Sequence, residues 1–206
     1  MPRIDHLALW ASGVLVRRVT EVAQDVLWPP GEKPTPNLCL GLINLERQLS
    51  SGALSPEVYC QSAVELAGAS MPPADLAFHL ENRLDLVPGI LAVVDELASH
   101  RYRLHMLWNL PRRWLAPVAR RTGLAQRFPD EAVIVVEDYL PGSPLVALLN
   151  SLVSARVIAP GRSLLVDDDP VRAMATIRLG LDVGIFVDAG RLRRDLGLWR
   201  ILPDAA

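Results

Sequence analysis

Short runs of apolar residues alternate with stretches of helical period along most of the chain. Residues 4–10, 103–108, 132–136, 163–166 and 183–187 are apolar or nearly so and are bounded by turn formers, as expected of strands buried on both faces of a sheet. Between and after them the period predicts helices over 88–100, 111–122, 144–154, 170–179 and 191–196, two of them stopped by Gly123 and Gly180. Residues 17–85 are different. Leu38, Leu42, Leu45 and Leu49 fall at helical spacing, Ser55-Pro56 and Met71-Pro-Pro73 open further helices, and no strand pattern interrupts them. The pattern predicts an α/β chain: a Rossmann-like parallel sheet covered on both faces, carrying an all-helical insertion after its first strand. In such sheets ligands bind beyond the carboxyl ends of the strands, which selects Trp10–Gly13, Trp108–Asn109, Glu137–Asp138 and Asp167–Asp169.

The chain's 206 residues suffice for one domain with an insertion and a substantial core. Lysine plus arginine is 21 against 23 aspartate plus glutamate, a net charge of −2 that gives no electrostatic reason to expect nucleic acid or an anionic membrane as partner. Of the basic residues only Lys33 is a lysine, so any mechanism that needs a lysine must use it. Cys39 and Cys60 form neither a disulfide framework nor a metal cluster and suit a reducing cytoplasm. No apolar run approaches the roughly 18 residues that span a bilayer. Leu7–Val16 imitates a signal peptide's apolar segment, but Ser12-Gly13 interrupt it, Arg17-Arg18 follow, and no cleavage pattern is present. These features predict a soluble, cytoplasmic protein. His6, His79, His100 and His105 show no metal-ligand spacing, and the arginine pairs read as solvated helix faces, with Arg112-Arg113 the exception because they follow Asn109.

The arrangement resembles the haloacid dehalogenase superfamily, in its phosphatase-like branch with a helical cap after the first strand. The resemblance rests on Ser12-Gly-Val-Leu15 as the end of the first motif, Leu45-Glu-Arg followed by Ser51-Gly-Ala-Leu-Ser-Pro-Glu-Val-Tyr59 in the cap, and Leu107-Trp-Asn109 at the second motif. The most specific match is Val166-Asp-Asp-Asp-Pro170 through Arg178-Leu-Gly-Leu181 at the fourth. It implies a core of residues 1–16 and 86–206 and a cap of residues 17–85. It also implies phosphoryl or related chemistry by an aspartate at the end of the first strand, a second acid two residues on, a serine or threonine in the second motif, a lysine in the third, and Mg²⁺ on the fourth-motif carboxylates.

The sequence departs from that pattern at four positions. Trp10 stands where the nucleophile is expected, and indole cannot form the covalent intermediate; Ser12 stands at the acid/base position. Asp5 lies too far back along the strand, and on its other face, to substitute. Trp108 replaces the hydroxyl residue beside Asn109, and Leu140-Pro-Gly-Ser-Pro144, at the third motif, has no lysine. Lys33 belongs to the cap, leaving Arg112 and Arg113 as the nearest cations, with a fork geometry unlike a point charge. Asp167 and Asp168 remain as acid/base or metal residues, but with one carboxylate ligand lost they are expected to hold Mg²⁺ weakly at best; no other cofactor is implied. Asp169 is expected to cap the following helix.

The sequence therefore predicts a small-molecule-binding, regulatory or interaction pseudoenzyme without ordinary phosphatase or dehalogenase activity. The expected ligand-binding residues are Trp10, Ser12, Trp108, Asn109 and Arg112, the two indoles either plugging the old site or lining a pocket. The alternative is a recruited isomerase, cyclase or lyase with Asp167 or Asp168 as acid/base in a Trp-lined pocket; a third reading relocates the nucleophile to Ser12. The partner is a small molecule or a protein of unknown identity, and an apolar cap helix could support a homodimer.

Overall fold

A computed structural model of the chain describes residues 4–28, 31–32, 34–139, 145–154 and 157–203. Lys33 and the segment Leu140–Pro144 lie outside the described residues. The centre is a five-stranded parallel sheet formed by β1 (His6–Trp10), β2 (Arg103–Trp108), β3 (Val133–Val135), β4 (Ser163–Asp167) and β5 (Asp182–Ile185), in the order β3-β2-β1-β4-β5. Leu7, Leu9, Leu107, Leu164 and Val166 are buried, as strands covered on both faces require. The described residues contain no helix long and apolar enough to cross a membrane.

Two strand ends differ from the sequence pattern, for one reason: a strand lasts only as long as its neighbour. Val136 is not in a strand but opens α7 (Val136–Tyr139), because β3 pairs only with β2, whose last residue Trp108 sits opposite Val135. On the other side β5 stops at Ile185, opposite Asp167, rather than running to Val187. The last backbone bond there is from Phe186 N to Asp167 O, at 2.8 Å.

Between β1 and β2 come α1 (Val19–Leu27), α2 (Pro36–Ser50), α3 (Pro56–Ala67), α4 (Pro73–Arg83) and α5 (Ile90–Ser99). Thr35 and Ser55 accept the amides of Leu38 and Val58 and so start α2 and α3, each with proline in its first turn. Helices α1–α4 pack on one another around Leu42, Leu49, Tyr59, Leu76 and Leu80. Cys60 is buried among them, whereas Cys39, near the start of α2, is only half-buried. The chain leaves the sheet and returns to it at one place: Val16 pairs with Leu86, Arg17 N donates to Asp85 O at 2.9 Å, and Val87 N donates to Leu15 O at 3.0 Å. The remaining helices are α6 (Arg112–Thr122), α8 (Leu145–Ser154), α9 (Pro170–Ile177) and α10 (Ala189–Leu198).

Candidate functional site

The carboxyl ends of β1, β2 and β4 lie side by side, so Trp10, Asn109 and Asp167–Asp169 converge on one edge of the sheet. After Trp10 the chain makes a tight turn in which Leu15 and Val16 donate to Ala11 O at 3.1 and 2.9 Å. Gly13 sits in that turn at φ +88°, and a Cβ there would overlap the Asp168 carboxylate. Glycine is required on both counts.

Each aspartate of the 167–169 run is held by an arginine. Asp167 is fully buried; its Oδ1 accepts Arg172 Nη2 at 2.7 Å, Arg172 Nε at 3.1 Å and the Asp169 amide at 2.8 Å, and its Oδ2 accepts Arg172 Nε at 3.1 Å. Asp168 accepts Arg172 Nη2 on Oδ1 at 2.9 Å and Arg18 Nε on Oδ2, while its carbonyl accepts Arg18 Nη2 at 3.1 Å. Asp169 caps α9 through the Val171 amide at 2.8 Å and takes Arg47 Nε at 3.3 Å. The Arg172 guanidinium also lies 4.9 Å from the centre of the Trp10 ring, in cation–π range.

The protonation behaviour follows from these contacts. Burial pushes the Asp168 carboxyl up, and the charges of Arg18 and Arg172 only partly offset it. For Asp169 burial acts in the same direction, but the Val171 amide, Arg172 and Arg47 prevail and hold its carboxyl below the usual range. Arg172 is opposed by burial, yet its bonds to Asp167 and the three carboxylate charges raise it above an ordinary guanidinium.

Ser12 belongs to a second network. Its amide donates to Asn109 Oδ1 at 3.0 Å, and its hydroxyl donates to Glu46 Oε1 at 2.8 Å. Glu46, a buried residue of α2, also accepts the Val19 and Thr20 amides at 3.1 and 3.2 Å and the Thr20 hydroxyl at 2.6 Å. One carboxylate thus caps α1 from another helix and ties both helices to the turn after β1.

A cavity of about 230 Å³ opens beside Trp10, walled by Asn109, Val136, Leu148, Val171 and Arg172, with Arg47, Ser50 and Ser51 at α2. Asp169 is the only one of the three aspartates that lines it. A smaller space of about 20 Å³, room for a water, lies between Ser12, Glu46, Arg18 and Asp168.

The expected ligand residues are therefore not all brought together. Trp10 and Asn109 line the cavity. Trp108 does not: Trp10 is in register with Leu107, so Trp108 points to the other face of the sheet, fully buried, with its indole N–H donating to Pro111 O at 3.2 Å. Ser12 faces the smaller space, and Arg112 lines a separate cavity with Met106, Leu115 and Phe128. Arg113 is on the surface with Glu57 and Glu81. Asp5 is paired with Arg162 at the opposite end of the sheet.

The donor set does not fit a magnesium ion. A hard cation needs free oxygens at about 2.0–2.1 Å. Here both oxygens of Asp167 and of Asp168 are already bonded to arginine, and Trp10 supplies no oxygen. Among the described residues no group of three or more His, Cys, Asp or Glu side chains is placed to hold a metal.

Sheet order, the turn after β1 and the helical segment that follows give the chain a fold shared with solved haloacid dehalogenases. No family model and no curated protein matches the chain by sequence. Solved structures match its shape. L-2-haloacid dehalogenase of Xanthobacter autotrophicus superposes with a TM-score of 0.69 at 20% identity, over 97% of this chain and 85% of that one. A haloacid dehalogenase family hydrolase of Deinococcus radiodurans, with bound phosphate and sodium, gives 0.65 at 17% identity over 100% of both chains. A family enzyme of Bacteroides thetaiotaomicron, in complex with magnesium and inorganic phosphate, gives 0.60 at 16% identity over 90% of this chain and 95% of that one.

Sequence reasoning missed Arg172, Arg18, Arg47 and Glu46. Arg172 left a usable signal, since an arginine four residues after Asp168 at a helix start can fold back onto it. Glu46 and Arg47 stand in the Leu45-Glu-Arg47 segment of the cap, but nothing in the sequence ties Glu46 to Ser12, 34 residues away.

Proposed function

We propose that this protein binds a small molecule at the carboxyl edge of a haloacid dehalogenase fold, without metal-dependent phosphoryl transfer. The observation that carries the reading is the cavity of about 230 Å³ whose wall holds Trp10 at the position where the chemistry needs a carboxylate. Its size, somewhat below the roughly 300–1,000 Å³ of drug-sized pockets, suits a small guest. Trp10, Val136, Leu148 and Val171 favour an apolar body, and Arg47, Ser50, Ser51 and Asn109 offer polar contacts around it. In this reading residues 17–85 act as a cap, since α2 supplies one wall of the cavity, and the protein works in the cytoplasm, in keeping with its free cysteines. Asp167 and Asp168 serve as structural anions rather than acid/base or metal residues.

The enzyme alternative needs a carboxylate that faces the guest and exchanges protons. Asp169 faces it, but its oxygens cap α9 and pair with Arg47, and its neighbours hold its carboxyl below the usual range, which makes it no general acid and a weak base. The test has two arms. With p-nitrophenyl phosphate and Mg²⁺, turnover should not exceed that of Asp167→Asn. In a thermal-shift screen of small apolar acids, amides and alcohols, stabilising compounds should lose their effect in Leu148→Trp, which fills the cavity. Mg²⁺-dependent hydrolysis abolished by Asp167→Asn would overturn the proposal.

A further inference from the structure

We propose that Arg172 is a built-in cation, holding Asp167 and Asp168 together in place of a divalent metal ion, and that removing its guanidinium uncovers a divalent-cation site. One nitrogen carries the argument. Arg172 Nη2 lies 2.7 Å from Asp167 Oδ1 and 2.9 Å from Asp168 Oδ1, bridging the two carboxylates as a bound ion would. Nε of the same group spans both oxygens of Asp167 at 3.1 Å, so the guanidinium binds this residue as a fork.

The position is an unfavourable one for a cation by local rules. Arg172 lies in the first turn of α9, where the helix dipole and free amides favour anions. Burial opposes its charge as well. What offsets both is the carboxylate pair: Asp167 has no exposure at all, and two such anions a few ångströms apart cannot stay buried together without a positive partner. The partner is covalently attached, always charged and always present, so the carboxylates need no ion from solution. Arg18 closes the outer side of Asp168, and Trp10 closes the face of the guanidinium. With Arg18 and Arg172 the pair is charge-balanced, which leaves no local excess of positive charge for a phosphate dianion.

Replacing Arg172 by methionine keeps most of the stem and deletes the cation, leaving two adjacent carboxylates with oxygens turned to one point. The proposal rests on reading Asp167 and Asp168 as structural anions and not on what fills the cavity, so its failure would leave small-molecule binding there standing. Mn²⁺ binding is measured by loss of the free-ion paramagnetic resonance signal, and melting temperature is followed with and without millimolar Mg²⁺ or Mn²⁺. Wild type is expected to show no binding sensitive to Asp167→Asn and no metal-dependent shift. Arg172→Met is expected to melt lower, to bind Mn²⁺, and to regain part of the lost melting temperature with either ion. Arg172→Met combined with Asp167→Asn should not. Arg172→Lys, which keeps a charge, should bind no metal. Mn²⁺ bound by wild type and lost in Asp167→Asn would overturn the proposal even if Arg172→Met does not fold; so would a folded Arg172→Met that ignores both ions.

Discussion

Replacing Glu46 by alanine removes the acceptor of four hydrogen bonds at once: those from the Ser12 hydroxyl, the Val19 and Thr20 amides and the Thr20 hydroxyl. The Thr20 hydroxyl can turn to Leu42 O, 3.4 Å away, and the Ser12 hydroxyl can meet water in the small space beside it. The two amides cannot turn. They are the first donors of α1, in buried residues, and the N-cap residue Arg18 offers them no side-chain acceptor. At about 1–3 kcal/mol for each buried group left unmade, softened by a water entering the vacated volume, the expected loss is about 3 kcal/mol. That is a large part of the roughly 5–15 kcal/mol that holds a typical domain folded. Glu46→Gln keeps one oxygen but turns an amide donor toward other donors, for an expected loss of about 1–2 kcal/mol. Urea unfolding followed by tryptophan fluorescence reads both, and the slope with urea should not change. In a double-mutant cycle Ser12→Ala and Glu46→Gln should couple by about 1 kcal/mol. A Glu46→Ala protein with a loss below about 1 kcal/mol, or independent effects in the cycle, would refute the reasoning.

Gly13→Ala should cost about 2–4 kcal/mol, from the positive φ and the displaced Asp168 carboxylate; an unchanged urea midpoint would show that the turn tolerates a Cβ. At the other end of the sheet His6 Nδ1 and His105 Nε2 lie 3.3 Å apart with stacked rings, and burial lowers both pKa values, His6 and Arg103 adding to the effect at His105. Below an unfolded-state pKa of about 6.5 the unfolded chain binds more protons than the folded one, so this pair's contribution to stability falls as pH falls through that window toward the folded-state values. Urea midpoints measured from pH 7.5 down to 5 should decline, and less steeply in His105→Phe; equal slopes would remove the histidine pair as the cause.

The parallel sheet was legible because its strands are apolar throughout, and two helix starts because Ser55 and Asp169 are capping residues at the right places; the Thr35 cap of α2 was not read from the sequence. The edge holding the site was legible from the rule on strand ends. What could not be read was the face each side chain takes. Trp10 and Trp108 look alike in sequence, and only the register of β1 on β2 sends one to the cavity and the other to the core. The charged residues were harder still. Arg17-Arg18 look like a solvated pair, yet Arg18 reaches Asp168 across 150 residues of chain while Arg17 stays outside with Asp25. The period of a helix says which residues share its face, not which distant carboxylate that face will meet.

Because Val16 pairs with Leu86, helices α1–α4 hang from the sheet by two adjoining chain segments, like a loop drawn closed by a string. Chain topology gains from this. The central strand β1 finds its neighbour β2 about a hundred residues downstream, a separation that makes pairing entropically expensive while the intervening chain is loose. Once α1–α4 have packed locally, the crossing at Val16 and Leu86 shortens that span to residues 88–102, which hold the single helix α5. The helical segment whose α2 walls the cavity also serves the assembly of the sheet, by bringing its first two strands within reach of each other.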